Sequence, residues 1–494
     1  MIRQLTRLTL IAALAIGLFS ACDTIALDEA QPTDRVVPGE ALSTVQGLES
    51  ILASVYDRLQ GVTRYGQHFL LYPSALADNI QIKQGSTSNR YPGVVANTVF
   101  THLTTYGGPY ASINEANNVL AAIPDVEITG TDAEATRDRI EGEARFLRAL
   151  SYFDLVRTKA YEPGRGVQQP DAPQGWTPQT GVVIRTEPTQ TVEDASFLPR
   201  APVSEVYALI ESDLSTAYDL LLDNPTAAPL PNRATAAAAA ALLARVYLYH
   251  ADPTAANDPL WAEAETWATR AIDLAEAAGV TVSTPSSFAG DWASSTHPES
   301  IFELTLTSGL DGAVTNSNEA LTALTTPGVF TYEVLPTQDL ISTYAANDVR
   351  RELLRTDSDG ATYLAKYTGT IAPFTDRLPV IRISEMYLTR AEARAQQGKL
   401  PGARSDLDVI RTNRGVGSIG TSIGQAALID SILLERRREL VYEGHRFFDL
   451  KRYARDIPKP QLGGSLPYSD IRILAPLPSA QVDSNPELVQ NPGY

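Results

Sequence analysis

Apolar residues three and four apart recur along most of this chain, and that regularity restricts it to a largely helical architecture. In STVQGLESILASVYDRLQ, from Ser43, the residues Val45, Leu48, Leu52, Val55 and Leu59 fall on one stripe. ASINEANNVLAAIP repeats the pattern and stops at Pro124. TDAEATRDRIEGEARFLRALSYFDLVR then forms a long amphipathic stretch, with Asp132 and Glu134 near its start. Further helices are predicted over 203–223, 234–250, 259–278, 380–397, 401–413 and 423–443. Gly398-Lys399-Leu400-Pro401 shows how neighbours join, with Gly ending one helix and Pro opening the next. Small residues at the crossings (Ala236 to Ala241, Ala262, Ala264, Ala391, Ala393) predict a mainly α fold of tetratricopeptide-like helix hairpins. Gly-, Pro-, Thr- and Ser-rich loops separate the helices near 61–108, 160–202, 280–335 and 356–379. Loops of that length carry function or small elements of their own. Two short strands are predicted, Ile301 to Leu306 and Ile471 to Leu474.

Residues 1–21 have the form of an export signal. Arg3 and Arg7 precede LTLIAALAIGLF, an apolar core too short and too early for a stable membrane span. The stretch ends Phe19-Ser20-Ala21-Cys22, and Cys22 is the only cysteine. One thiol excludes an internal disulfide framework. Small residues leading into a cysteine at a signal-peptide end resemble a bacterial lipobox, in which the cysteine is lipidated and starts the mature chain. Residues 22–40 are then a lipidated N-terminus and polar tether, with 41–494 as the folded domain. No later run of about 18 apolar residues follows, since Arg245 interrupts ATAAAAAALLARVYLYH. Losing Arg3 and Arg7 takes the formal charge from −18 to −20, which argues against nucleic acid or anionic lipid as the main partner.

ERRRELVYEGHRFFDLKRY, Glu435 to Tyr453, invites a catalytic or metal reading through Glu443, His445 and Asp449. Only His445 and Asp449 are four apart, no third ligand is near, and Glu443 and His445 point apart on a helix. A structural reading explains more. Glu435 with Arg438, Arg436 with Glu439, and Asp449 with Arg452 are three-apart ion pairs, and the arginine stems can cover Phe447 and Phe448. The form also occurs twice: Tyr152-Phe153-Asp154-Leu155-Val156-Arg157 matches Phe447-Phe448-Asp449-Leu450-Lys451-Arg452.

EGHRFFDLKRY, preceded by ERRREL, resembles the C-terminal motif of the SusD/RagB family of outer-membrane nutrient-binding lipoproteins. EARFLRALSYFDLVR, ATAAAAAALLARVYLYH, ESIFEL, LPVIRISEMYLTRAEARAQQG, DLDVIRTNRGV and QNPGY resemble that family's landmarks in its order. The resemblance implies about four tetratricopeptide-like hairpins, a loop-rich half carrying the ligand site, and the C-terminal motif region from about residue 330 to 494. It implies no enzyme, no cofactor and no metal. It also implies a SusC-like TonB-dependent transporter as partner, capped by this protein at the cell exterior. The ligand would be a glycan or other oligomeric nutrient. A peptide-binding member, a protein-interaction scaffold and a glycoside hydrolase stay open as alternatives, the last needing two carboxylates about 5–10 Å apart across a cleft.

A glycan platform places aromatic faces beside amides and charges. LADNIQIKQGSTSNRYPG offers Asp78, Asn79, Lys83, Asn89 and Arg90 around Tyr91, and the next stretch adds His102, Tyr106 and Tyr110. Further clusters lie at Phe288 with Trp292 and at Phe330 with Tyr332. The resemblance places binding aromatics in these same two regions, after the first helix and after the ESIFEL-like strand. Trp261 and Trp267, at helical spacing, are core candidates, and Trp176 in the 160–202 loop is held in reserve.

Overall fold

A computed structural model describes residues 41–191, 194–255 and 257–494. The predicted signal, Cys22 and the tether lie outside the described residues. Helices dominate: α1 (Val45–Leu59), α2 (His68–Ala75), α3 (Gly107–Ala122), α4 (Ala133–Lys159), α5 (Val203–Leu221), α6 (Ala236–His250) and α7 (Leu260–Ala277) come before the main strands. After them come α8 (Ile383–Gln396), α9 (Leu400–Asn413), α10 (Gln425–Glu439) and α11 (Arg446–Arg452). Taken in order, α3–α4, α5–α6, α7–α8 and α9–α10 make four pairs, and each pair lies against the next. The predicted hairpin array is present, with its third pair split by more than a hundred residues of inserted chain.

Local chemistry explains the joints. Thr44 and Thr235 cap α1 and α6, each hydroxyl accepting from the N–H three residues on, Gly47 and Ala238. Ala238 to Ala241 are wholly buried, as are Ala264, Ala268, Ala271 and Ala275 of α7, so the two helices approach closely. Arg245, the charge inside the alanine run, donates to both Glu385 oxygens at 2.7 and 2.6 Å and to the Val380 carbonyl. Gly398 takes φ +73° where α8 stops, a left-handed conformation that suits glycine.

The strands are short and antiparallel. β1 (Ile80–Ile82) pairs with β3 (Val334–Pro336), Gln81 opposite Leu335. β2 (Ser300–Thr305) pairs with β6 (Arg377–Arg382), which runs directly into α8. β4 (Leu354–Thr356) and β5 (Thr362–Leu364) form a hairpin against β3. The strand predicted at Ile471 to Leu474 is instead a single 3-10 turn over Ile471–Ile473, capped by Asp470, whose side chain accepts from the Arg472 N–H. The Asp470 cap supplies the turn signal that overrides the β-branched composition.

The ERRREL…FFDLKRY segment is buried and tied to every part of the molecule. Asp449 accepts from Arg436 at 3.2 Å and Arg452 at 3.0 Å, and Arg452 also meets Glu392 on α8. Glu439 accepts from Arg350, Arg382 and Arg414. The expected Arg436–Glu439 pair is therefore not made: from α10, Arg436 turns to Asp449 on α11, while Glu439 meets three arginines from other elements. The Glu435–Arg438 and Asp449–Arg452 pairs are made, at 3.3 and 3.0 Å. Gly444 sits where a Cβ would come 2.3 Å from the Phe69 carbonyl oxygen of α2, so the motif requires glycine there. The two copies of the repeated form meet each other, since the Arg157 guanidinium lies 4.8 Å from the Phe448 ring centre. His445 is buried and burial holds it well below the usual imidazole range, and no three-ligand metal cluster occurs among the described residues. Asn491 is buried further on, donating to the carbonyls of Lys159 and Ala475 and accepting from Arg200 and Trp176.

Candidate functional site

One surface gathers aromatic and charged side chains from three of the predicted loops. The β1–β3 ladder is extended by the Lys83 N–H donating to the Glu333 carbonyl at 2.8 Å, which brings Lys83 beside Tyr332. Lys83 Nζ is 5.7 Å from the Tyr332 ring centre, 2.7 Å from Asp359 and 3.8 Å from Asp357. The Tyr332 hydroxyl donates to Asp357 Oδ2 at 3.2 Å, and the Tyr363 ring on β5 meets Tyr332 edge-on at 6.2 Å. Asp357 organises the turn between β4 and β5 by accepting from the N–H groups of Asp359 and Ala361. Desolvation pushes its carboxyl up, but those N–H donors outweigh it and hold the group below the usual carboxylate range. The bond to Asp359 raises the Lys83 pKa, so the lysine stays charged. Phe330, two residues from Tyr332, is 64% exposed, and Asp359 is mostly exposed too.

Tyr332 itself is buried, so the ring left partly open to apolar C–H groups is that of half-buried Tyr363, beside carboxylates that accept from hydroxyls and a cation that donates. Arg90 belongs to the adjoining loop, bonded to the Asn318 carbonyl at 2.7 Å and to Glu319 at 2.9 Å. That loop is pinned to the site by Glu333, whose Oε1 accepts from the N–H groups of Arg90 and Tyr91, both at 2.9 Å.

Other predicted site residues are inside the fold. Asp78 is buried and bridges Arg446 through two 2.7 Å bonds and Arg437 at 3.2 Å. Asn79 Oδ1 accepts from Arg437 Nε at 2.8 Å. Tyr91 is buried edge-on against Tyr72, its hydroxyl donating to Gln67. Trp292 packs against His297 and Tyr367 with Lys366 Nζ 4.2 Å from its ring centre, and Phe288 lies under Arg414. Those side chains hold the loops in place and offer no ring face or free charge to a ligand, which corrects their assignment as contact residues. Trp261, Trp267 and His102 are likewise buried. Tyr106 lies apart, with Tyr110, in a cavity of about 360 Å³ between α3, residues 183–189 and residues 481–488. Tyr363, Asp357 and Asp359 were missed by sequence reasoning. Their signal was the DSDG turn, Asp357 to Gly360, between two short β-type runs.

Comparison with known proteins places the whole chain. A family model described as the SusD family matches residues 365–494, and a second, described as starch-binding and associating with the outer membrane, matches 27–248. The chain belongs to the SusD/RagB family. Its similarity to other SusD-family proteins is low in sequence and nearly complete in extent. A SusD-like protein P38 of Formosa agariphila is 24% identical, with 99% of this chain and 98% of that protein covered. A SusD-like protein of Bacteroides ovatus is 23% identical over 92% of this chain and 84% of that protein. A SusD superfamily crystal structure from Bacteroides thetaiotaomicron superposes with a TM-score of 0.74 at 25% identity, covering 91% of this chain and all of that one. The SusD fold therefore accounts for the helix pairs and the inserted strand-and-loop half together.

Proposed function

We propose that this SusD-family chain is a lipid-anchored, outer-membrane nutrient-binding protein whose ligand is a glycan bound on the Lys83–Tyr332–Tyr363 surface. It works without catalysis, capping a SusC-like TonB-dependent transporter and handing it the ligand. The observation that carries the reading is the convergence of Tyr332 and Tyr363 with Lys83, Asp357 and Asp359, in a loop that also exposes Phe330 two residues from Tyr332. Support from outside the chain comes from the starch-binding, outer-membrane description of the matched family model. A starch-binding SusD of Bacteroides thetaiotaomicron adds to it, being 31% identical over 129 residues, 25% of this chain and 22% of that protein.

The test is a titration of Phe330→Ala and Tyr363→Ala against soluble glycans and against peptides, with melting curves alongside. Each ring contributes roughly 0.5–1.5 kcal/mol by stacking, so each change weakens glycan binding about three- to tenfold without unfolding the protein. Parental affinity for every glycan in both variants would remove this surface as the site. Saturation by peptides alone would turn the reading to a peptide-binding member.

A further inference from the structure

The cavity containing Tyr106 has a chemistry of its own. The Tyr106 and Tyr110 rings meet at 4.8 Å and 53°, and Ile113, Val183 and Leu488 add apolar wall. Asn114 and Asn117 are used up in building the frame. Asn114 exchanges bonds of 3.1 and 2.7 Å with the Thr189 backbone, and the Asn117 amide donates to the carbonyls of Arg185 and Glu187. The 183–189 backbone is thereby fixed against α3. Arg185 and Gln481 keep spare capacity. The Arg185 side chain makes one hydrogen bond, to the Ser196 carbonyl, and no ion pair among the described residues. The Gln481 side-chain amide makes no hydrogen bond there either.

Charge is an independent observation. The chain carries 58 acidic residues against 40 basic, yet no carboxylate among the described residues lines this cavity. Glu187, on the same loop, is exposed. Behind the two tyrosines Arg200 is buried, bonded to the Asn491 side chain and to the carbonyls of Lys159, Gly181, Thr180 and Val489, with no acid in ion-pair range among the described residues. Desolvation without a counterion pulls its pKa down to about 10. Lys159, buried against Arg200, donates its side-chain ammonium to the Leu103 carbonyl, its one side-chain partner among the described residues. An acidic protein has here placed one rim cation, with a buried arginine behind the two tyrosines, at an aromatic cavity lined by no carboxylate among the described residues.

We propose that this cavity is a second binding site, taking a carboxylated sugar unit of the hexuronate type. Its pyranose ring lies against Tyr106 and its carboxylate meets the free edge of the Arg185 guanidinium, which is shaped for two-point recognition of carboxylate. Gln481 donates to or accepts from a ring hydroxyl. The volume, about 360 Å³, is at the lower end of the roughly 300–1,000 Å³ of small-molecule sites and suits one or two sugar units.

The test uses the full chain, titrated by calorimetry with sodium galacturonate, galactose and N-acetylglutamate. Galacturonate saturates the protein, and galactose does not at the same concentrations. Arg185→Gln weakens galacturonate binding about tenfold or more, the loss of one charge-assisted contact, and Gln481→Ala weakens it less. Both side chains are at the surface edge of the cavity, so both variants keep the parental melting temperature. Phe330→Ala leaves galacturonate affinity unchanged, which separates this cavity from the strand-loop surface. Absence of saturation, equal affinity for galactose, parental affinity in Arg185→Gln, or loss in Phe330→Ala would each overturn the proposal. Tighter binding of N-acetylglutamate than of galacturonate would overturn the sugar assignment.

Discussion

Asp449 shows how a residue that looks functional can be framework. Its carboxylate is buried between Arg436 and Arg452, and the bonds from those arginines hold it ionised against the cost of burial. Asp449→Ala leaves Arg436 buried with the Thr389 hydroxyl at 3.4 Å as its remaining side-chain partner. The expected cost is about 3–5 kcal/mol, read as a lower urea midpoint. His445→Ala costs less, because its Nδ1 has no partner to lose, and neither change alters glycan affinity of the folded protein. A parental melt with abolished binding in either variant would return the motif to the candidate sites. The same residue-level physics limits what could be read of the ligand surface. Composition offered Lys83, Arg90, Phe330 and Tyr332, of which the fold brings Lys83 and Tyr332 together and sets Arg90 on the adjoining loop. It could not separate them from Asp78, Tyr91 and Trp292, which are buried by partners such as Arg446, Tyr72 and Tyr367 that lie outside their own loops. The Asp78–Arg446 bonds span 368 residues, and no local pattern reports them.

At the scale of elements the sequence was far more legible. Periodicity, caps and glycine stops located every helix of the four pairs to within a few residues, because each signal lies inside the element it specifies. The pairing of β1 with β3 and the β4–β5 hairpin were not readable, since three-residue strands carry too few alternations to register. Their positions depend on contacts such as the bond between the Lys83 N–H and the Glu333 carbonyl. Helix α6 permits a sharp test of the packing. Thr235→Ala removes its N-cap and costs about 1 kcal/mol. Ala240→Leu pushes a branched side chain into a wholly buried position on α6 and costs about 1–3 kcal/mol. Chemical denaturation midpoints check both. An unchanged midpoint in Ala240→Leu would mean that α6 is not closely packed at that position.

At the scale of the whole molecule the buried ions set the response to pH. Glu299 is held down at about 2, and Glu439, Asp78 and Asp449 lie below their ordinary values; burial opposes this in each, and arginine partners outweigh it. Their contribution is complete above the unfolded carboxyl pKa of about 4–4.5 and is lost as pH falls through the folded values. His102, His297 and His445 are kept neutral by burial, so the unfolded chain gains protons on them first, below about pH 6.5. Asp376, pushed up to about 6 by burial, opposes the trend between pH 6 and 4, as do Glu303 and Asp138, also raised by desolvation, but these are outnumbered by the depressed groups. Melting temperature is therefore expected to ease from about pH 6.5 and drop steeply below about 4.5. A flat profile to pH 3 would show that these ions are not desolvated as described. The ties that bury these groups also govern when folding can finish. Arg200 and Lys159 wait for Asn491, and Asp78 waits for Arg437 and Arg446. During vectorial synthesis the early helices thus emerge with charged and polar groups whose partners are hundreds of residues from being made. A nascent chain in that condition leaves those groups without their native partners until residues 435–491 follow.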